Sequence, residues 1–151
     1  MVMAMNPRLA GFLTQALSHE MSVVQQYLTQ SHLCDLWGMA DHAAYFRRES
    51  AEELEHAGQL IRHMLSLGLT PNATQLAPAR PGRDLREMLL LDRQLEVDAV
   101  RLYDEALRQA LRFRDDASGQ LFAALLSDEQ GHLNEIDRML AEFQRKEQDY
   151  G

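Results

Sequence analysis

Cysteine is almost missing from this sequence of 151 residues: Cys34 stands alone. A single thiol excludes an intramolecular disulfide framework and fits a reducing compartment, the cytoplasm being the expected one. On a helix it reads as a half-buried packing residue rather than a reactive group. Proline and glycine are scarce, at four and eight residues, so few points along the chain can break a helix. Leu, Ala, Glu, Gln and Arg, all good helix formers, fill much of the remainder. Long apolar runs are missing too. Aliphatic runs such as Leu89 to Leu91 fall far short of a membrane span,. The opening "MVMAMNPRLAGF" has no basic start followed by an apolar stretch, so no secretory leader is expected,. Basic residues number 15 against 23 acidic, a formal charge of −8, which argues against a nucleic-acid partner,.

What is present is helix, arranged with regular punctuation. The length suits one domain, 1–151, able to bury roughly 68–70% of its unfolded surface,. Asn6 followed by Pro7 is an N-cap with proline in the first turn,. Apolar residues at three-and-four spacing, from Leu9 and Leu13 through Leu17, Val24, Leu28 and Leu36, predict a helix over 7–36,. Trp37–Gly38 breaks it, and a second helix is expected over 39–67, stopped by Gly68 and Pro71,. Residues 68–83 hold three of the four prolines and read as a connector,. Further helices are expected over 84–112 and 116–146, with the last residues fraying. Helices of about thirty residues are about 45 Å long. Tight joins after the first and third impose antiparallel hairpins. The connector, at roughly 3.3 Å per residue, can run the whole length of such a bundle. The expected fold is an all-α four-helix bundle: two antiparallel hairpins joined by a long crossover.

The six histidines hold the functional signal: His19, His32, His42, His56, His63 and His132. Two of them close a Glu-x-x-His pair, Glu53/His56 and Glu129/His132, each placing both side chains on one helix face,. Glu20 precedes Glu53 by 33 residues, and Glu96 precedes Glu129 by the same interval. The set is thus duplicated with an offset of 76, which also carries Tyr27 to Tyr103. In an antiparallel hairpin, residues equidistant from the turn lie level. Glu20 and the Glu53/His56 pair are symmetric about Trp37, and Glu96 and the Glu129/His132 pair about Phe113, where the breaks fall independently. Four carboxylates and two imidazoles therefore meet in one layer. Flanking positions are apolar: Leu13, Leu17 and Val24 about Glu20; Leu54, Ala57, Leu60 and Ile61 after Glu53; Leu125, Leu126 and Leu133 about Glu129. A buried layer of carboxylates repels itself unless compensated. Two di- or trivalent cations would do so, and mixed Glu/His ligation suits iron, manganese or zinc.

The stretches "LSHEMSVVQQYLTQSHLCDLWGMADHAAYFRRESAEELEHAGQLIRHMLSLGLTPN", "LEVD" and "LLSDEQGHLNEID" resemble the bacterioferritin family of ferritin-like di-iron carboxylate bundles, from about Asn6 to Phe143,. The resemblance implies ferroxidase chemistry, Fe(II) to Fe(III) with O2 or H2O2 as oxidant, and iron storage if copies assemble. It implies that Glu20 and His56 hold one iron terminally, Glu96 and His132 the other, and that Glu53 and Glu129 bridge. Tyr27 matches the family's tyrosine near the site, with a possible redox or hydrogen-bonding role; Tyr103 reads as plain packing. Glu49, Glu52, Glu55 and Asp128 read as solvated or supporting acids, with support of the ligands or an iron entry path as the alternative role for Asp128 and Glu52. The family's haem-ligand methionine corresponds to Leu54, so haem is not expected, and the histidine of an inner iron site corresponds to Arg48. A short fifth helix found in the family has no counterpart in "QRKEQDYG". At least a homodimer is expected, with cages of 12 or 24 copies as larger assemblies, and no membrane partner. The competing readings are a rubrerythrin-like di-iron oxidase or peroxidase, whose Cys-rich module Cys34 alone does not supply, and a non-storage assembly protein.

Overall fold

Helix α1 (Pro7–Leu36) begins where the Asn6 side chain accepts a hydrogen bond from the Arg8 backbone N–H at 2.9 Å, with Pro7 at the first position. The computed structural model describes the backbone of residues 6–73 and 75–150. Helix α2 spans Ala40–Ser66, α3 Leu85–Arg112 and α4 Asp116–Tyr150. Helix α3 is capped by Asp84, whose carboxylate accepts from the Glu87 N–H at 2.8 Å. Ser118 N–H donates to Asp115 Oδ1 at 3.0 Å in the corresponding turn before α4. No strand occurs among the described residues, and no helix there is long and apolar enough to cross a membrane.

The C-termini of α1, α2 and α3 share one device. Gly38 and Gly68 sit at φ 74° and 76°, and the next residue's N–H reaches back to a carbonyl of the last helical turn: Met39 to Cys34, Leu69 to Met64, both 2.9 Å. Only a residue tolerant of the left-handed region turns the chain so sharply. After α3 the same position is Arg114, at φ 55°, with Asp115 N–H bonding Ala110 O at 2.9 Å.

Each hairpin packs along its length, α1 lies on α3, and α2 touches α4 least. The crossover is pinned to α1 by side chains: Ser22 Oγ accepts from Ala77 N–H at 3.0 Å and Gln26 Oε1 from Arg80 N–H at 2.7 Å. Core side chains form two clusters, one with Leu9, Leu13, Leu60, Met64, Phe122 and Leu125, the other with Val23, Cys34, Phe46, Met88, Leu89 and Ile136. Cys34 is fully buried, its Sγ 3.8 Å from Met88 Sδ, rather than half-buried. Leu28 and Leu36, which periodicity placed with the apolar positions, and Leu54, read as an apolar neighbour of Glu53, are exposed. Helix α4 extends past Lys146 to Tyr150, through residues compatible with helix,.

Candidate metal centre

Helical spacing carries the two Glu-x-x-His pairs onto the inner faces of α2 and α4, while α1 and α3 supply Glu20 and Glu96 from the facing pair. All six residues are buried; none is more than 8% exposed. Their donor atoms gather as two overlapping groups, Glu20/Glu53/His56/Glu129 and Glu53/Glu96/Glu129/His132, each within 4.8 Å. Glu53 and Glu129 belong to both.

The imidazoles face each other across this layer, centroids 5.9 Å apart and nearly parallel. His56 Nδ1 lies 2.7 Å from Glu129 Oε1, 3.4 Å from Glu53 Oε2 and 3.7 Å from Glu20 Oε2. His132 Nδ1 lies 2.9 Å from Glu53 Oε1, 3.8 Å from Glu96 Oε1 and 3.9 Å from Glu129 Oε2. Yet His56 Nδ1, His132 Nδ1, both Glu53 oxygens and one oxygen each of Glu20, Glu96 and Glu129 make no hydrogen bond of proper geometry. Close approach without alignment means that these atoms point toward shared centres rather than at each other. Buried polar atoms are normally satisfied, so this concentration of orphans is what a cation site requires.

The outer imidazole nitrogens are held by acids from the opposite hairpin. His56 Nε2 is 3.1 Å from Asp128 Oδ2, and His132 Nε2 is 2.7 Å from Glu52 Oε2. With a carboxylate accepting from each Nε2–H, each Nδ1 would be free to offer its lone pair inward to a cation. Sequence placed Asp128 and Glu52 in solvent; they are half exposed but also orient the two rings. Glu55 does face water, whereas Glu49 is buried, its Oε2 3.7 Å from His132 Nε2.

The tyrosines obey the repeat. Tyr27 donates to Glu96 Oε1 at 2.7 Å and Tyr103 to Glu20 Oε1 at 2.6 Å, each crossing to the other hairpin. Tyr103 is therefore not plain packing: a fully buried phenol needs an acceptor, and the carboxylate layer provides it,. Its signal in the sequence was the shared offset with Tyr27.

Proton distribution follows. Burial pushes Glu53 up to about 8, reinforced by Glu20, and pushes Glu129 well above the carboxylate range, reinforced by Glu96. For Glu20, burial is outweighed by contacts with Glu53, His56 and Tyr103, and the carboxyl lies below its ordinary value; Glu96 is lowered likewise, by Glu129, His132 and Tyr27. Both imidazoles are raised despite burial, His56 chiefly by Glu129 and His132, to about 12, chiefly by Glu53. The metal-free layer thus holds protons where cations would otherwise neutralise it.

A groove of about 450 Å3 between α2 and α4, lined by Glu52, Glu55, Asp128, Gly131 and the two imidazoles, opens the layer to solvent. A larger one, about 750 Å3, lies between α1 and the crossover beside Thr14, Ser18 and His19, and none of the six residues lines it. Of the two, the acidic groove reaches the imidazoles directly.

The family model of the ferritin-like domain matches residues 11–146. The bacterioferritin of Rhodobacter capsulatus is 36% identical over 134 residues, covering 89% of this chain and 83% of that protein. That of Brucella melitensis biotype 1 is 34% identical with the same coverage. A solved structure of the Rhodobacter capsulatus bacterioferritin, described with a metal-free dinuclear site and haem iron in a crystallographic special position, superposes with a TM-score of 0.91 at 34% identity, over 95% of this chain and 89% of that one. With a matched domain reaching from α1 to α4 and relatives of this similarity over most of its length, the chain belongs to the bacterioferritin family of ferritin-like proteins.

Proposed function

We propose that the protein is a ferroxidase that takes two Fe(II) between its hairpins and promotes their oxidation to Fe(III), storing the product where copies enclose a cavity. The observation that carries this is the overlap of two four-residue donor groups on Glu53 and Glu129. Glu20 and His56 hold one ion, Glu96 and His132 the other, and Glu53 and Glu129 lie between them. Carboxylate oxygen with imidazole nitrogen suits iron, and also manganese or zinc after purification. Iron supplies the electrons, one per ion, and dioxygen or peroxide accepts them. The chain gathers the cations through an acidic groove, fixes both rings through Asp128 and Glu52, and steadies the terminal carboxylates through Tyr27 and Tyr103. These roles make Tyr27 and Tyr103 supports of the centre.

Haem does not fit at the family's methionine position. Leu54 is 53% exposed on α2 and offers no sulfur ligand, so no step runs through haem. Assembly into at least a dimer, and a cytoplasmic location, belong to the same proposal.

Aerobic addition of Fe(II), followed by ferric absorbance, tests the reading. Fast oxidation by wild type and slow oxidation by Glu53→Ala and His56→Ala is the expected result; equal rates in all three would overturn it. Light scattering on the eluted protein distinguishes a dimer from a cage.

A further inference from the structure

Two buried carboxyls lie outside the six-residue centre, Glu49 and Asp92. The offset of 76 pairs them with Leu125 and Ala16, both core residues of the other half. The bundle accepts apolar side chains at such positions, so folding alone does not demand an acid there. Glu49 borders His132 and belongs to the centre already described. Asp92 is one helical turn before Glu96 on α3 and is completely buried.

Its bonds run away from the centre. Gln26 Nε2 and Gln30 Nε2 donate to Asp92 Oδ1 at 3.2 and 2.8 Å. Gln30 Nε2 also donates to Pro81 O at 3.2 Å, and Gln26 Oε1 accepts from Arg80 N–H. Two amides thus join the acid to the crossover, where the Arg80 side chain is exposed. Asp92 Oδ2 accepts no hydrogen bond from the protein, nor does Gln30 Oε1. An ionised carboxylate with a bare, buried oxygen is costly, and protonation lowers that cost by removing the charge. Burial pushes Asp92 up to about 8 against the lowering by Gln30 and Gln26, and Glu96 and Glu49 push the same way as burial. Around it, α1 presents Gln26, Gln30, Tyr27 and Cys34, α2 Glu49 and Tyr45, and α3 Glu96; Glu135 of α4 acts on Glu49 and Tyr45.

Charge counting shows what a neutral acid is for. Counting the buried groups alone, four carboxylates and two neutral imidazoles carry four negative charges, which two Fe(II) cancel and two Fe(III) exceed by two; Asp128 and Glu52 lie half in solvent, which screens their charge,. A buried excess of positive charge draws a proton off any neighbouring acid able to release one. We infer that Asp92 is a proton store that balances the charge of the iron pair, neutral while both ions are ferrous and ionised once both are ferric. This rests on the ferroxidase reading above. Two Fe(II) each lose one electron; dioxygen takes both, with two protons from solvent, and leaves as hydrogen peroxide. In the same turnover the Asp92 O–H bond breaks, its electron pair stays on Oδ2, and the proton passes to solvent.

Asp92→Asn keeps the shape and the acceptor for Gln30 while removing the proton to be released. Protein loaded with Fe(II) without air and then pulsed with oxygen in a dye-buffered solution is expected to release roughly one proton more per iron pair in wild type than in the variant. Equal proton counts would sink the inference. A second measurement needs no turnover: infrared difference spectra with Zn(II) and with redox-silent Ga(III). A protonated-carboxyl band that survives Zn(II), vanishes with Ga(III) and is missing from Asp92→Asn supports the store; a band indifferent to Ga(III), or retained in the variant, overturns it. If wild type binds no Zn(II) and oxidises no iron, the ferroxidase reading falls and this one with it. Normal binding and oxidation with unchanged proton counts remove Asp92 alone.

Discussion

Glu53 and Glu129 differ from Glu20 and Glu96 in what they touch. The first pair reaches both imidazoles and is raised by burial, the second pair accepts tyrosine hydroxyls and is lowered. Metal-free protein therefore keeps protons at the shared positions and on the rings, and cation binding must displace them. Calorimetry of Zn(II) binding in buffers of different ionisation enthalpy is expected to report net proton release near neutral pH, and a heat independent of buffer would contradict the assignment. Asp128→Ala and Glu52→Ala each leave the six donors intact but remove the acceptor that holds one ring. Removing such a partner typically weakens metal binding about 10–100-fold, to be read by Co(II) titration of the visible spectrum. That these six side chains meet was legible in sequence, because equal spacings and a shared offset survive without knowledge of side-chain direction. Glu49 and Asp92 were not, because acids on helices usually face water and neither has an acidic or histidine counterpart in the repeat.

Among the elements, the helix ends were the most readable feature, since Asn6–Pro7, Gly38, Gly68 and Asp84 act locally. The close of α4 was not, because its end depends on the absence of a stop signal rather than on the presence of one. The α3–α4 turn shows a departure that the repeat makes visible. Gly38 corresponds to Arg114, and both sit at positive φ, 74° and 55°. A side chain there costs about 1–2 kcal/mol that glycine avoids, offset in part by the entropy glycine loses on folding. Arg114→Gly is expected to stabilise the protein by about 0.5–1 kcal/mol, seen as a higher urea midpoint at unchanged slope. Gly82→Ala is expected to act the other way, since at φ 91° a Cβ would stand 2.9 Å from the Met88 backbone nitrogen. A lower melting temperature for that variant is the check.

For the whole molecule, the buried layer makes stability depend on both pH and metal. Glu53 and Asp92, each near 8, and Glu49, near 7, are raised from carboxylate values, mainly by burial. Between about pH 4.5 and 8 the unfolded chain has released these protons and the folded chain retains them, so stability falls as pH rises. His132, raised to about 12 through Glu53 and Glu96, contributes stability that is full below about 6.5 and declines above it, in the same direction,. Glu20 and Glu96, being lowered, add stability above their ordinary value that is lost in stronger acid. Metal-free protein should therefore melt at progressively lower temperature from pH 5 to pH 8, and Zn(II) should raise the melting temperature most at the alkaline end. A flat metal-free profile would contradict this account.

The clamp of Ser22, Gln26 and Gln30 on the crossover has a consequence for assembly errors. A chain whose second half repeats its first offers two hairpins of nearly equal shape, and a hairpin from one copy can lie against its counterpart in another. Nothing in the duplicated centre opposes that exchange, because a swapped pair rebuilds the same six donors. What opposes it is the asymmetry: the offset carries Ser22, Gln26 and Gln30 onto Asp98, Leu102 and Ala106, so only α1 can hold this connector, folded back along its own bundle. The connector thus serves as the chain's record of which hairpin is its own, and loosening it with Gln26→Leu should increase the share of interlocked dimers after refolding at high concentration.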